Sequence, residues 1–570
     1  MNRLSTPDIL VFLFYFIVVS IYGYWVYQRK KKATTDTKDF FLAEGALTWW
    51  AIGASLIASN ISAEQFIGMS GNGFRLGMAI SVYEWLAAVA LIIVAVFFMP
   101  IYIKNKIYTM PQFLKQRYSE TVAVIMAVFW LFLYVFVNLT SILYLGAIAI
   151  NNLTGGENFH VIMVALAIFA LIITLGGMKV IGYTDVVQVF FLIVGGLATT
   201  YLALHLVSQK FGYGSDIIAG FNQLFKAAPG HFDMIFDKPA TGATAEQSKN
   251  YVSLPGVAMM LAGQWIVNLN YWGCNQYITQ RALGADLKTA RVGILFAAFL
   301  KMLMPVIVVL PGIAAYVLHQ NGELQQQMLT EGEFREDNAY AALLGFLPDG
   351  LKGLSLAALT AAIVASLAGK ANSISTIFTL DLYKKYVKTS ASETQMVWIG
   401  RVTVLVAMFI AVMFTWDDWL GIGGKGGFEF IQKYTGFISP GVFAVFLLGF
   451  FWKRTTASAA IVGIVGGLLL SVLFNNYLPG IAGNETLLYS AFLVVEDGET
   501  FYQIPFLVSM GWVFVITVIL MVIISLIEGK GRPNPKAFEI DAGMFKVTTG
   551  VFVMILLILA LLTAIYIRFW

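Results

Sequence analysis

A chain of 570 residues with 59% hydrophobic and 12% charged residues, at a mean hydropathy of +0.78, excludes an ordinary soluble protein. The net charge of +4 does not signal nucleic acid: the basic residues fall in short segments between apolar runs, where they orient a membrane chain. The single cysteine, Cys274, excludes an intrachain disulfide, and a lone thiol in an apolar stretch reads as inert packing.

The first apolar run, Ile9 to Tyr27, is followed by Arg29, Lys30, Lys31 and Lys32, which marks a retained helix with its N-terminus outside. At about 20 residues per span, further helices are expected near 48–72, 77–103, 121–151, 159–176, 183–208, 254–283 and 289–318. Others follow near 350–386, 395–416, 428–452, 457–476, 503–527 and 545–568. The class is therefore an all-α polytopic membrane protein with about fourteen transmembrane helices. Alternate connections are basic, as that count requires: Lys104, Lys106, Lys115 and Arg117; Arg281, Lys288 and Arg291; Lys384, Lys385 and Lys388; Lys453 and Arg454; Lys530, Arg532 and Lys536. The long connections near 209–253, 319–349 and 477–502 then lie outside. Both termini are external, on a multi-pass protein of the plasma (inner) membrane.

Enzyme signatures are missing. His160, His205, His231 and His319 have no metal spacing, and there is no HExxH, nucleophile elbow or phosphate-binding loop. Gly421 to Gly427 lacks a GK[ST] ending and reads as a flexible outer turn.

The informative residues are polar ones inside apolar spans. Asn60, Ser62, Glu64 and Gln65 cluster in the middle of the second span, Glu84 lies in SVYEWLAAV, and Lys301 in FAAFLKMLMP. Gln264, Asn268, Asn270 and Gln276 flank Tyr271 and Trp272 in the seventh span, and Gln432 lies in FEFIQKYTG. Amides and hydroxyls of this kind also serve as glue between helices. A carboxylate and an ammonium in separate spans each cost about 2.5–3.5 kcal/mol unless paired or hydrated, which favours a shared site. Carboxylate acceptor, ammonium donor, amides and an aromatic face together suit a polyol: hydroxyls need directed partners and a ring packs the apolar sugar face.

NISAEQFIGMSG, VYEW, NLNYW with QYITQR, FLKMLMPVIVVLPGIAAY and IQKYTGFISPGVFAVFLLGFFWKRTT closely resemble the sodium/solute symporter family, in its sodium/glucose cotransporter branch, along nearly all the spans. The resemblance implies a five-plus-five inverted-repeat, leucine-transporter-like core made of spans two to six and seven to eleven. One transmembrane transporter domain then covers 1–570. It divides into a first helix and basic inner loop (1–47), a first repeat (48–208), a second repeat (254–452) and additional C-terminal helices (453–570). Such folds break the first helix of each repeat at mid-membrane. Ala58 to Ser62 and Asn268 to Tyr271 are the expected breaks.

Carried over by resemblance, the sugar contacts are Gln65, Glu84, Asn268, Lys301 and Gln432, supported by Asn60. Tyr271 with Trp272 forms the inner gate, and Met69, Tyr83 and Phe428 the apolar outer lid. Ala87 stands where a bacterial galactose-transporting member of the branch has a serine, which removes one hydroxyl contact. The sodium ion, the coupled cofactor, takes backbone carbonyls at Ala58, Ile61 and Ala362 and two adjacent hydroxyls on the ninth span. Only Ser366 of that pair is present; Ala365 replaces the other, which weakens a site for a hard cation.

Lys370 follows one turn beyond Ser366 on the same face. Either its ammonium occupies or tunes the sodium site, or it faces the cytoplasmic vestibule, hydrated, which is the commoner arrangement along a water-filled path. Asp185, in GYTDVVQ, matches a family acid near the sodium exit and is equally an ordinary helix N-cap. Arg281 reads as a cytoplasmic charge able to pair with a carboxylate. The expected activity is sodium-coupled import of a hexose such as glucose or galactose by alternating access. Its partners are sugar, sodium and membrane lipid, not nucleic acid. The alternatives are another solute (inositol, sialic acid, an amino acid), a channel, or a non-transporting sugar sensor.

Overall fold

Every expected span is helical in the computed structural model, which describes residues 4–29, 41, 47–154, 156, 158–240, 242–330, 332–422, 427–496 and 498–570. Lys30 to Lys32 and residues 423–426 lie outside the described residues, and with them part of the orientation signal and the glycine-rich turn. Among the described residues, eleven helical runs are long and apolar enough to cross a bilayer, or twelve with the bent pair Ala245–Leu261 and Gly263–Cys274 counted as one span. Phe159–Thr174 is apolar but shorter. The 40-residue run Gln65–Lys104 is about twice the length a bilayer core needs, and Gly77, at φ 68°, interrupts it. It therefore carries the end of the second span and all of the third.

The chain forms two units. The first comprises Met1–Ser81, Ala127–Phe232 and Gln276–Ile431. Its centre is the ninth span, Leu351–Val387, whose alanines, glycines and serines are buried on nearly every side. Small residues let neighbouring backbones approach without a hydrophobic drive: a methyl on Gly195 of the sixth span would lie 2.7 Å from Ala358 Cβ. Thr199 and Ser355 share a hydrogen bond of 3.0 Å across the same contact, and Tyr340 donates to Thr199 at 3.2 Å. The second and eighth spans meet through another glycine pair, since a methyl on Gly53 would stand 2.7 Å from Gly293 O.

The ninth span also borrows its N-terminal cap. Gly350, at φ 87°, offers no side chain, and Asp8 of the first span accepts from Gly350 N at 2.8 Å and Gly353 N at 2.9 Å. A carboxylate there satisfies orphan amides and the positive helix end together.

The second unit comprises Val82–Met126, Asp233–Asn275 and Gln432–Trp570. Arg117, at the end of Met110–Arg117, closes the C-terminus of the eleventh span. It donates to the carbonyls of Gly449 (2.8 Å), Trp452 (2.9 Å) and Thr455 (3.1 Å). Arg117, in the connection between the third and fourth spans, is thus a buried helix clamp and not an exposed charge. Phe113 stacks on Phe446 at 4.7 Å beneath it. The seventh span bends by 80° around Ala262, where Gly263 admits Leu507: a methyl on the glycine would lie 2.7 Å from Leu507 Cα. An antiparallel hairpin, Phe492–Glu496 with Glu499–Gln503, adjoins a small core of Tyr489, Ile504 and Val513.

Candidate functional site

The second span breaks where the sequence predicted. Its helix ends at Asn60 because Ile61 takes an extended conformation (φ −82°, ψ 110°). Beyond the break the chain resumes as a π-helical turn, Glu64–Met69. Ser62 holds that restart: its N–H and hydroxyl both donate to Gln65 Oε1, at 3.1 and 3.2 Å. Ser62, which the sequence placed in the cluster without a role, therefore fixes the Gln65 side chain. A broken helix leaves its last carbonyls without intrahelical donors, so this end of the span is a natural cation ligand.

The seventh span departs from expectation. Asn268 to Tyr271 is regular helix within Gly263–Cys274, and the interruption after it falls at Asn275 (φ −94°, ψ 127°), before Gln276–Leu283. Asn268 does not mark the break because its amide donates back one turn, to Gln264 O at 3.0 Å and Gln264 Oε1 at 3.3 Å. Asn270 donates to Ser439 at 3.1 Å. Gln276 bonds Gln280 at 3.3 Å, and Gln280 in turn bonds Thr376 (3.0 Å) and accepts from Ser373 (2.9 Å) of the ninth span. Gln280 is interhelical glue, and Gln276 braces it from one turn before.

Three helices of the first unit each contribute an i, i+4 pair to one buried network: Ser55 and Ser59, Tyr277 and Arg281, Ser366 and Lys370. Asp185 of the sixth span, Met178–Lys210, anchors one end. Ser55 Oγ donates to Asp185 Oδ2 and accepts from Arg281 Nε at 2.7 Å. Arg281 Nη2 lies 3.8 Å from the same carboxylate, and Nη1 donates to Tyr277 O. At the other end Lys370 Nζ sits 4.7 Å over the Tyr277 ring and donates to Ser366 Oγ at 3.0 Å. Ser366 Oγ donates to Ser59 O at 3.1 Å, at the breaking end of the second span.

Three sequence readings change here. Asp185 is not a cap: it lies two turns into its helix, fully buried, and the N-cap is Gly177. Arg281 is not a surface charge, with 1% of its area exposed, although its carboxylate partner is as expected. Lys370 does not reach a hydrated vestibule; it is 3% exposed and held at the ninth-span hydroxyl. Ser55, Ser59 and Tyr277 were missed, and their i, i+4 spacing with each other or with Arg281 was the available signal.

The proposed sodium ligands lie in the first unit. Ala58 and Ile61 flank the helix end, and Ala362 precedes Ser366 by one turn on the buried ninth span beside Ala365. Carbonyls and a hydroxyl are the oxygen donors a hard cation prefers. Among the described residues no three His, Cys, Asp or Glu side chains cluster as a metal site. Of the expected sugar and gate residues, Asn60, Gln65, Met69, Lys301 and Phe428 are in the first unit, all buried. Phe428 packs on Gly68 beside Met69, where a methyl would come within 2.6 Å of Phe428 Cβ. Tyr83, Glu84, Asn268, Tyr271, Trp272 and Gln432 are in the second unit, together with Ala87. Glu84 and Trp272 are buried, Gln432 half-buried, and the Tyr271 and Trp272 rings stand edge to face at 5.1 Å.

Broken spans and ionisable groups buried within apolar helices define a multi-pass membrane transporter. Residues 40–467 match the sodium:solute symporter family. The chain belongs to that family, and sodium is its coupled ion. It is 41% identical to a sodium/glucose cotransporter of Vibrio parahaemolyticus, over 100% of this chain and 99% of that one. It is 34% identical to sodium/myo-inositol cotransporter 2 of Homo sapiens, over 82% of this chain and 70% of the relative. A Na+-coupled sialic acid symporter, solved substrate-bound and outward-open, superimposes with a TM-score of 0.72 at 19% identity, covering 92% of this chain and 98% of that one. The fold is the leucine-transporter-like five-plus-five inverted repeat.

Proposed function

We propose that the chain imports a hexose, such as glucose or galactose, down a sodium gradient across the plasma (inner) membrane, with both termini outside. The observation that carries this reading is the end-to-end match at 41% identity to a sodium/glucose cotransporter. The residue chemistry suits it: Gln65 and Lys301 offer donors, and Glu84, Asn268 and Gln432 offer acceptors and amides for hydroxyls. Asn60 supports the sugar contacts, Tyr271 and Trp272 form the inner gate, and Met69, Tyr83 and Phe428 the outer lid. Transport would proceed by alternating access. Sodium binds the carbonyls of Ala58, Ile61 and Ala362 with the Ser366 hydroxyl, orders Gln65 through the broken span, and leaves inward past Asp185. Coupling needs only that each ligand prefer one state.

A second substrate reading, an inositol, draws on the 34% identity to a myo-inositol cotransporter. Equilibrium binding of labelled glucose, galactose and myo-inositol to the purified protein, in sodium and in choline, separates the two. Sodium-dependent hexose binding is expected; myo-inositol binding without hexose binding would overturn the hexose reading.

A further inference from the structure

Lys370 is the group in this network that sodium symport does not call for. It is 3% exposed in the most buried span of the first unit, and its ammonium is fixed from two sides: by the Ser366 hydroxyl at 3.0 Å and by the Tyr277 ring at 4.7 Å. Ser366 is the one hydroxyl left where the family resemblance implies two, and it already faces the Ser59 carbonyl at 3.1 Å. The neighbouring position, Ala365, is fully buried and brings no side-chain oxygen.

We infer that Lys370 is a tethered cation that competes with sodium for the Ser366 end of the ion site. This rests on the placement of sodium at Ser366 given above. The ammonium and the ion need the same oxygen, and both are cations. At a separation of about 4 Å and an effective dielectric of about 20, like charges oppose co-occupancy by roughly a thousandfold in binding constant, before relaxation and water reduce it. Sodium binding therefore requires the lysine side chain to leave Ser366.

That exchange also reaches the broken seventh span. Tyr277 gives its ring to Lys370 and its carbonyl to Arg281, so release of the ammonium removes one of the contacts holding Gln276–Leu283 against the ninth span. The resident ammonium satisfies Ser366 when sodium is scarce, which keeps a buried hydroxyl and carbonyl paired in the ion-free protein. The cost is a lower sodium affinity than the same oxygens would give alone.

The test is sodium-dependent thermal stabilisation of the purified full chain, with 22Na binding as the second readout, for wild type, Lys370→Met, Lys370→Gln, Lys370→Arg and Ser366→Ala. Lys370→Met and Lys370→Gln are expected to lower the half-saturating sodium concentration about tenfold or more, while Lys370→Arg stays near wild type. Lys370→Met with Ala365→Ser should bind still more tightly. Unchanged sodium affinity in both neutral variants, with Ser366→Ala abolishing sodium binding, overturns the competition while leaving the ion site in place. Intact sodium binding in Ser366→Ala overturns the placement of the site itself.

Discussion

Removing Arg281 should leave the Asp185 carboxylate buried without its compensating charge. Asp185 is fully buried and Arg281 1% exposed, so solvent cannot take over for either. Breaking one side of a buried pair costs about 3–5 kcal/mol, whereas replacing both by apolar groups is near neutral or better. Arg281→Met and Asp185→Leu are each expected to lose about 3–5 kcal/mol of stability, and the double variant about 2 kcal/mol or less. Ser55 joins the pair as acceptor from Arg281 at 2.7 Å and donor to Asp185, so Ser55→Ala should lose about 1–3 kcal/mol. Reversible unfolding in mixed detergent micelles, read by tryptophan fluorescence, supplies the cycle. Additive single losses, or a loss under about 1 kcal/mol in Arg281→Met, would refute the coupled network.

Three further outcomes follow. Arg117→Met should lower stability by about 2 kcal/mol or more in the same assay, because three carbonyls at the end of the eleventh span lose their donor. Asp8→Ala removes the borrowed cap of the ninth span and should cost about 1–2 kcal/mol, with faster amide exchange near Gly350 and Gly353 as its local signature. Glu84→Gln and Lys301→Ala should abolish hexose binding while leaving the unfolding midpoint within a few degrees of wild type; wild-type binding in either variant removes that residue from the sugar contacts.

Hydropathy made the spans legible because lipid imposes one length and one chemistry on each, and every expected run is helical. The second-span break was also readable: Asn60 and Ser62 put polar side chains into the middle of an apolar run. In the seventh span the expected break, Asn268 to Tyr271, falls between the two observed at Ala262 and Asn275, because its most polar stretch, Asn268 to Asn270, satisfies itself within the helix and against Ser439. The misread charges share one cause. Counting Lys and Arg by position cannot distinguish an exposed arginine from Arg117 or Arg281, whose partners lie hundreds of residues away. Lys370 shows the same limit: its neighbour Ser366 was visible as an i, i+4 pair, but the Tyr277 ring that encloses the ammonium comes from another span.

The most direct test of sodium-driven sugar import is uptake of radiolabelled glucose and galactose into proteoliposomes with an inward sodium gradient, against equal sodium on both sides and against choline. The account predicts transient accumulation above equilibrium with the gradient, only equilibration without it, and no uptake above protein-free vesicles in choline. Hexose accumulation independent of the gradient, or no hexose entry beside sodium-driven accumulation of another solute, would contradict it.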